Sequence, residues 1–118
     1  MTTTLTPFKW AIPLNPKDEI DYTFDLKGNV LEIGEGVTTW DLTLSDASIA
    51  AGLQVGSAEY ATSLTGTVLK IWFSVDEAKR DNALFDATGT WLDMQLDVVS
   101  NNDPPRILNT TLLLRVCR

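Results

Sequence analysis

The chain has 118 residues, of which 44% are hydrophobic, and its net charge is -7 at pH 7. This length favours one domain whose core is large enough to fold without a disulfide or a metal, and the negative charge disfavours binding to nucleic acid or to anionic lipid. Histidine is absent and Cys117 is the sole cysteine, which excludes a Ser-His-Asp or Cys-His catalytic site, a His-containing zinc site and an internal disulfide.

Residues 1–19 differ in pattern from the rest of the chain, because they contain three prolines and show neither a strand nor a helix period. Proline biases such a segment towards an extended path. The segment has no charged region followed by an apolar core, so we do not expect a signal peptide. It is nevertheless too apolar for a solvated tail, and it can pack on its own domain or on a neighbour. We expect an arm that is ordered by another subunit or partner, with four interface candidates: Phe8, Trp10, Ile12 and Leu14.

A period of two begins at Ile20 and predicts β-strands. Residues 20–26 alternate apolar and polar side chains, and residues 38–45 repeat the alternation. Residues 48–56 are interpreted as a loop or a short strand. Residues 67–75, "TVLKIWFSV", are β-rich on both faces, which predicts a central strand.

The last third of the chain contains a charged link and two long β runs. The link, residues 76–89, is expected to open with a short helix capped by Asp76, and it supplies three further interface candidates: Lys79, Arg80 and Phe85. Residues 90–99 and 107–116 flank the turn-rich stretch "SNNDPPR". This pattern predicts a C-terminal β-hairpin.

Many short strands with almost no helix predict an all-β fold, an antiparallel immunoglobulin-like β-sandwich over residues 20–118, preceded by the arm at 1–19. The inward phase of the alternation gives a predicted core that comprises Tyr22, Phe24, Trp40, Leu42, Ile71, Phe73, Leu96 and Val98.

Carboxylates occupy the opposite phase of these strands, as in Asp21 with Asp25 and Asp93 with Asp97. A half-solvated antiparallel sheet produces this arrangement without any function, so we expect no catalytic role and no obligatory metal. A calcium site formed by convergent carboxylates is the sharper alternative. The four tryptophans can also stack on sugar rings, although such residues more often anchor a core or an interface.

Four segments in a fixed order resemble a group of small virion proteins of tailed bacteriophages, which include fibre–tail adaptor, decoration and other virion structural proteins. The segments are "FKWAIPLNPKDEIDYTFDL", "TTWDLTLSDASIAAGLQVGS", "TVLKIWFS" and "GTWLDMQLDVVSNNDPPRILNTTLLLRV". The charged link 76–89 is longer than in that pattern, and the basic ending is reduced to Arg115 and Arg118.

The resemblance implies a non-enzymatic structural protein without cofactors, made in the host cytoplasm and incorporated into the virion. Its expected partners are further copies of itself and major capsid or tail proteins, with no nucleic acid and no membrane. Capsid decoration and a tail or fibre junction both remain open. The alternative from a different class is a carbohydrate-binding β-sandwich, assisted by calcium or not; a hydrolase built on carboxylates ranks last.

Overall fold

The computed structural model of the protein describes residues 2–4, 7–57 and 59–118, and of residues 2–4 it describes the backbone alone. The described residues form nine strands and one short α-helix, α1 (Asp46–Ala50). The strands are β1 (Thr2–Thr4), β2 (Phe8–Lys9), β3 (Ile20–Asp25), β4 (Val37–Leu44), β5 (Leu53–Val55), β6 (Ser63–Thr65), β7 (Val68–Val75), β8 (Thr90–Ser100) and β9 (Ile107–Val116).

The strands form two sheets. In the first sheet the order is β1-β9-β8-β4, and β2 continues along β9 beyond β1. In the second sheet β7 lies between β3 on one side and the short strands β5 and β6 on the other. Inward side chains of both sheets belong to one hydrophobic cluster, so the predicted β-sandwich is confirmed. The predicted terminal hairpin is β8 paired with β9.

The core follows the predicted alternation. Six of the eight predicted core residues are buried: Tyr22, Phe24, Ile71, Phe73, Leu96 and Val98. The other two, Trp40 and Leu42, are partly buried and pack against the cluster, because β4 is an edge strand with a neighbour on one side only. The central position of β7 is confirmed, but only one of its faces is buried; Lys70 lies on the other face.

The N-terminal segment forms an edge of the first sheet. β1 and β2 both run parallel to β9. Backbone hydrogen bonds then continue this contact, from the amide of Trp10 to the carbonyl of Leu113 (3.2 Å) and from the amide of Leu14 to the carbonyl of Arg115 (2.8 Å). The prolines interrupt regular pairing, which is why the sequence shows no strand period here.

Two of the links between the sheets begin with a helical turn that has an N-cap residue. Ser45 caps helix α1, and the chain then enters β5, so the region predicted as a loop or short strand contains both a helix and a strand. The link 76–89 forms two 3-10 turns, Glu77–Lys79 and Ala83–Phe85. The predicted cap is confirmed, since the Asp76 side chain accepts a hydrogen bond from the amide of Ala78 (3.2 Å).

Candidate interaction surface

Trp10 closes the gap between the two sheets. Its ring centroid lies 5.7 Å from that of Phe8 and 5.5 Å from those of Tyr22 and Phe73, with edge or tilted geometry. Its indole N–H donates a hydrogen bond to the carbonyl of Thr23, at 2.9 Å, on the outer edge of β3. Only 7% of Trp10 is exposed. This side chain therefore belongs to the core of its own chain.

Three of the predicted interface residues lie in the core of this chain. Trp10, Leu14 and Phe85 are buried, the last two completely, so they are not available to a partner. For Trp10 and Leu14 the physical cause is that an apolar edge segment lowers its free energy by covering the open side of its own sandwich. Phe8 is partly buried against the same core, and its ring centroid lies 4.9 Å from that of Phe24.

The remaining interface candidates lie at the surface. Ile12 is 69% exposed and borders a groove of about 280 Å3 between the N-terminal segment and β3. Tyr22 lines the same groove, and its hydroxyl is buried without a hydrogen-bond partner among the described residues. Lys79 and Arg80 both bind backbone carbonyls of their own domain, those of Ala50 and Val75 at 3.2 and 3.0 Å. These two cations therefore fasten the link 76–89 to the sandwich.

The strand carboxylates make structural contacts. Asp25 accepts hydrogen bonds at 2.9 Å from the amide of Lys27 and the hydroxyl of Thr67, and it thereby fixes the turn after β3. Asp21 lies 3.9 Å from the ammonium of Lys70, and both side chains are about half exposed. An exposed pair of this kind contributes little to stability.

The carboxylates of β8 are hydrogen-bonded in the same way. Asp93 accepts a bond from the hydroxyl of Ser45 (2.7 Å), and Asp97 accepts one from the amide of Asn109 (2.5 Å). In the part of the chain that the structure describes, no three or more Cys, Asp or Glu side chains converge to hold a metal ion. These carboxylates thus hold neighbouring strands and turns in register.

A buried carboxylate, Glu35, joins the loop before β4 to the loop between β8 and β9. It accepts hydrogen bonds from the guanidinium of Arg106 (2.6 Å), the side-chain amide of Asn102 (2.7 Å) and the backbone amide of Glu32 (2.9 Å). Burial raises the pKa of Glu35, but bonds from the Glu32 amide and the Ser100 hydroxyl and the charge of Arg106 outweigh it, so the pKa lies below its ordinary value.

Sequence reasoning missed this contact. Glu35 lies between two glycines and Arg106 follows two prolines, so both residues look like solvated loop residues. An isolated carboxylate and an isolated guanidinium carry no sequence signal that they meet across 71 positions. The sequence signal that could have indicated this contact was the opposite charge of Glu35 and Arg106, which lie in two turn-rich loops at the same end of the sandwich.

A shallow groove of about 550 Å3 lies beside this end of the sandwich, and it is lined by Lys27, Gly28, Leu31, Glu32 and Ile33. Ile33 is 99% exposed. The groove contains one cation, one carboxylate and no arrangement of groups suited to acid–base chemistry.

The four tryptophans have different surroundings. Trp10 is buried, Trp40 is partly buried, and Trp72 lies against Tyr60 on the outer face of the second sheet, with 4.6 Å between ring centroids. Trp91 is 45% exposed on the outer face of the first sheet. The ammonium of Lys9 lies 5.3 Å from its ring centroid, in cation–π geometry.

The outer edge of β4 has no neighbouring strand among the described residues. Among the described residues β4 pairs with β8 alone. The ladder continues with a bond from the amide of Ser45 to the carbonyl of Asp93 (3.2 Å), so the odd-numbered residues of this stretch face β8. Because backbone groups alternate along an antiparallel strand, Trp40, Leu42 and Leu44 direct their amides and carbonyls outward.

No helix in the described part of the chain has the length and apolar character that spanning a membrane requires. No protein-family model matches the chain, and no curated protein matches it either.

Proposed function

We propose that the chain is a non-enzymatic structural protein of a tailed-phage particle, held in the assembly by protein–protein contacts. The collinear resemblance of four segments supports the virion class. The geometry that carries a binding role is a small, well-packed sandwich with an unpaired strand edge at β4. Such an edge offers backbone donors and acceptors to another polypeptide.

We further propose that the sandwich is immunoglobulin-like in topology. In that fold one sheet contains strands B, E and D and the other contains strands C, F and G. The order β3-β7-β5 and the order β4-β8-β9 correspond to these two sets in chain sequence. Trp40 on β4 takes the place of the strand-C tryptophan of that fold, which here packs without a disulfide.

The surface supports attachment by several weak contacts rather than by one deep site. Ile12, Ile33 and Ile49 are each more than half exposed and lie on different segments. Apolar side chains scattered in this way supply limited area individually. Many copies on a repetitive shell or tail gain strength because each further contact forms intramolecularly.

The test is to locate the chain in the particle. Particles of the phage that encodes this sequence are purified on a density gradient, and the chain is detected by mass spectrometry and by gold-labelled antibody in electron microscopy. Label over the whole shell is the result for capsid decoration, and label at one vertex or at the fibres is the result for an adaptor. Purified particles that lack the chain contradict the proposal.

Carbohydrate binding is the second candidate, and the exposed ring of Trp91 is the observation that favours it. The neighbouring cations Lys9 and Arg115, at 5.3 and 6.0 Å from the ring centroid, compete with a sugar for its faces. A glycan array with the wild type and the Trp91→Ala variant, each with and without a chelator, decides the matter. Binding that disappears in the variant supports a carbohydrate-binding module.

A further inference from the structure

The free edges of the two sheets differ in how they are protected against pairing with another strand. Proteins protect edges with prolines, lysines, short strands or covering groups. The N-terminal edge of the first sheet contains Pro7 and Lys9, and β5 and β6 have three residues each. The edge of β3 is covered in part, because Trp10 and the side-chain amide of Asn29 bind the carbonyls of Thr23 and Asp25.

The edge of β4 is less protected, and the one charged side chain in its middle is that of Asp41. The strand has eight residues, and its sequence contains neither proline nor lysine. A register irregularity lies near its start, between Val37 and Thr39, and the stretch from Thr39 to Leu44 is regular. No hydrogen bond among the described residues reaches the outward amides of Trp40, Leu42 and Leu44. A complementary strand could satisfy all of these groups at once.

We propose that β4 is the pairing surface for a second copy of this chain, with the two β4 strands antiparallel about a twofold axis at Leu42. In this register Leu42 lies opposite the second copy's Leu42, and Trp40 lies opposite the second copy's Leu44. About six backbone hydrogen bonds form. The partly buried apolar side chains of β4 then meet their symmetry mates on the inner side and lose contact with water.

Charge disfavours one neighbouring register, and the proposed register places a carboxylate opposite a hydroxyl. On the outer side Asp41 lies opposite the second copy's Thr43, and its carboxylate can accept a bond from that hydroxyl, as it does from Thr43 of its own chain at 3.3 Å. A shift that centres the axis on Asp41 places two carboxylates opposite each other at about 4.5 Å between Cα atoms. Like charges in directly opposite positions destabilise a sheet.

The net charge of the chain sets the salt dependence of this dimer. Two copies that each have a net charge of -7 repel each other, so added salt tightens the dimer by screening. A basic partner bound at the same edge shows the opposite dependence. The interface is small, and contacts of low area are weak, so the monomer–dimer equilibrium is expected to depend on concentration. This proposal names an occupant for the same edge that the proposed function uses, but its test, self-association of the purified chain, succeeds or fails separately from the virion assignment.

The experiment uses two substitutions at one position, Thr43→Asp and Thr43→Lys. In the proposed register each places its new charge opposite Asp41 of the other copy, twice per dimer. We expect Thr43→Asp to weaken dimerisation and Thr43→Lys to strengthen it, each by about 2- to 30-fold in the dissociation constant measured by sedimentation equilibrium.

Thr23→Asp and Thr23→Lys are the matched controls, because Thr23 is exposed on β3 of the other sheet and the same net charge results. We expect the controls to change the dissociation constant less than the Thr43 variants do. Hydrogen exchange gives a second measurement: protection of the Trp40, Leu42 and Leu44 amides should rise with protein concentration, whereas the Asp41 amide is already protected by β8.

Three outcomes would overturn the proposal. The first is a wild-type chain that remains monomeric at millimolar concentration in high salt. The second is equal behaviour of the Thr43 variants and the matched Thr23 variants. The third is weakening by both Thr43→Asp and Thr43→Lys, which is the result for an axis centred on Thr43, since either charge then faces itself.

Discussion

Replacing Trp10 by alanine tests whether the N-terminal segment is part of the folded domain. A buried tryptophan contributes about 200 Å2 of largely apolar area, which corresponds to about 5 kcal/mol at 25 cal/mol per Å2 as an upper bound. Measured core truncations of this kind cost about 3 to 5 kcal/mol. The three ring contacts and the bond to the Thr23 carbonyl place Trp10→Ala within this range.

The assay is thermal and chemical unfolding of the purified chain. For a chain of this length a loss of 3 to 5 kcal/mol lowers the Tm by about 12 to 20 °C. Trp91→Ala is the matched control, because Trp91 is 45% exposed and its truncation should cost less than about 1 kcal/mol. Trp10→Phe keeps an aromatic ring and removes the N–H donor, so it should cost about 1 kcal/mol more than repacking alone.

The packing of the N-terminal segment on the core also predicts the effect of deleting residues 1–14. An arm that binds only a partner can be removed without loss of fold, whereas this segment covers β9 and the core. We expect the deletion to lower stability by more than Trp10→Ala does. A deletion variant with unchanged Tm, or a Trp10→Ala variant that loses less than 1 kcal/mol, would refute the packing argument.

Three further predictions concern single sites. The pKa of Glu35 is lowered in the fold, so the stabilisation that its carboxylate provides is complete above its unfolded pKa and is lost as the pH falls through the lower folded pKa. Glu35→Gln should therefore make the free energy of unfolding less dependent on pH in acid unfolding experiments. Gly89→Ala should cost at least about 3 kcal/mol in urea unfolding, because the added Cβ would lie 2.1 Å from a carbonyl oxygen. Gly66→Ala is the comparison, because Gly66 also has a positive φ but faces open space, and this change should cost about 1 to 2 kcal/mol. Joint replacement of Asp21 and Asp25 by Asn should leave the fold intact, and calorimetry should detect no calcium binding in either protein; tight binding lost in the double variant would contradict this.

The sequence pattern was sufficient to predict the strands that have a clear period of two. The alternation in β3, β4, β7 and β8 predicted their bounds within a few residues and the inward phase of Phe24, Phe73 and Leu96. Alternation works there because each of these strands buries one face.

The position of the N-terminal segment could not be predicted in this way. Prolines remove its period, and its partner β9 is about a hundred positions away, so local sequence contains no information about the pairing. The burial of Phe85 was missed for a related reason. It is a lone aromatic in a charged link. The link is held at Phe85 by a hydrogen bond from the backbone amide of Arg118 to the Phe85 carbonyl (2.8 Å), a contact between distant segments that local sequence does not indicate.

The parallel pairing of the N-terminal segment with β9 determines how the domain responds to mechanical tension. The two ends of the chain leave this pair of strands at opposite poles, since Thr2 lies beside Ile107 and Leu14 lies beside Val116. A pull on both ends therefore slides one strand along the other, and the hydrogen bonds between them bear the force together in shear. Bonds loaded one after another, as in peeling a hairpin, break at much lower force. The geometry thus predicts that a pull on both ends meets the shear resistance of this strand pair.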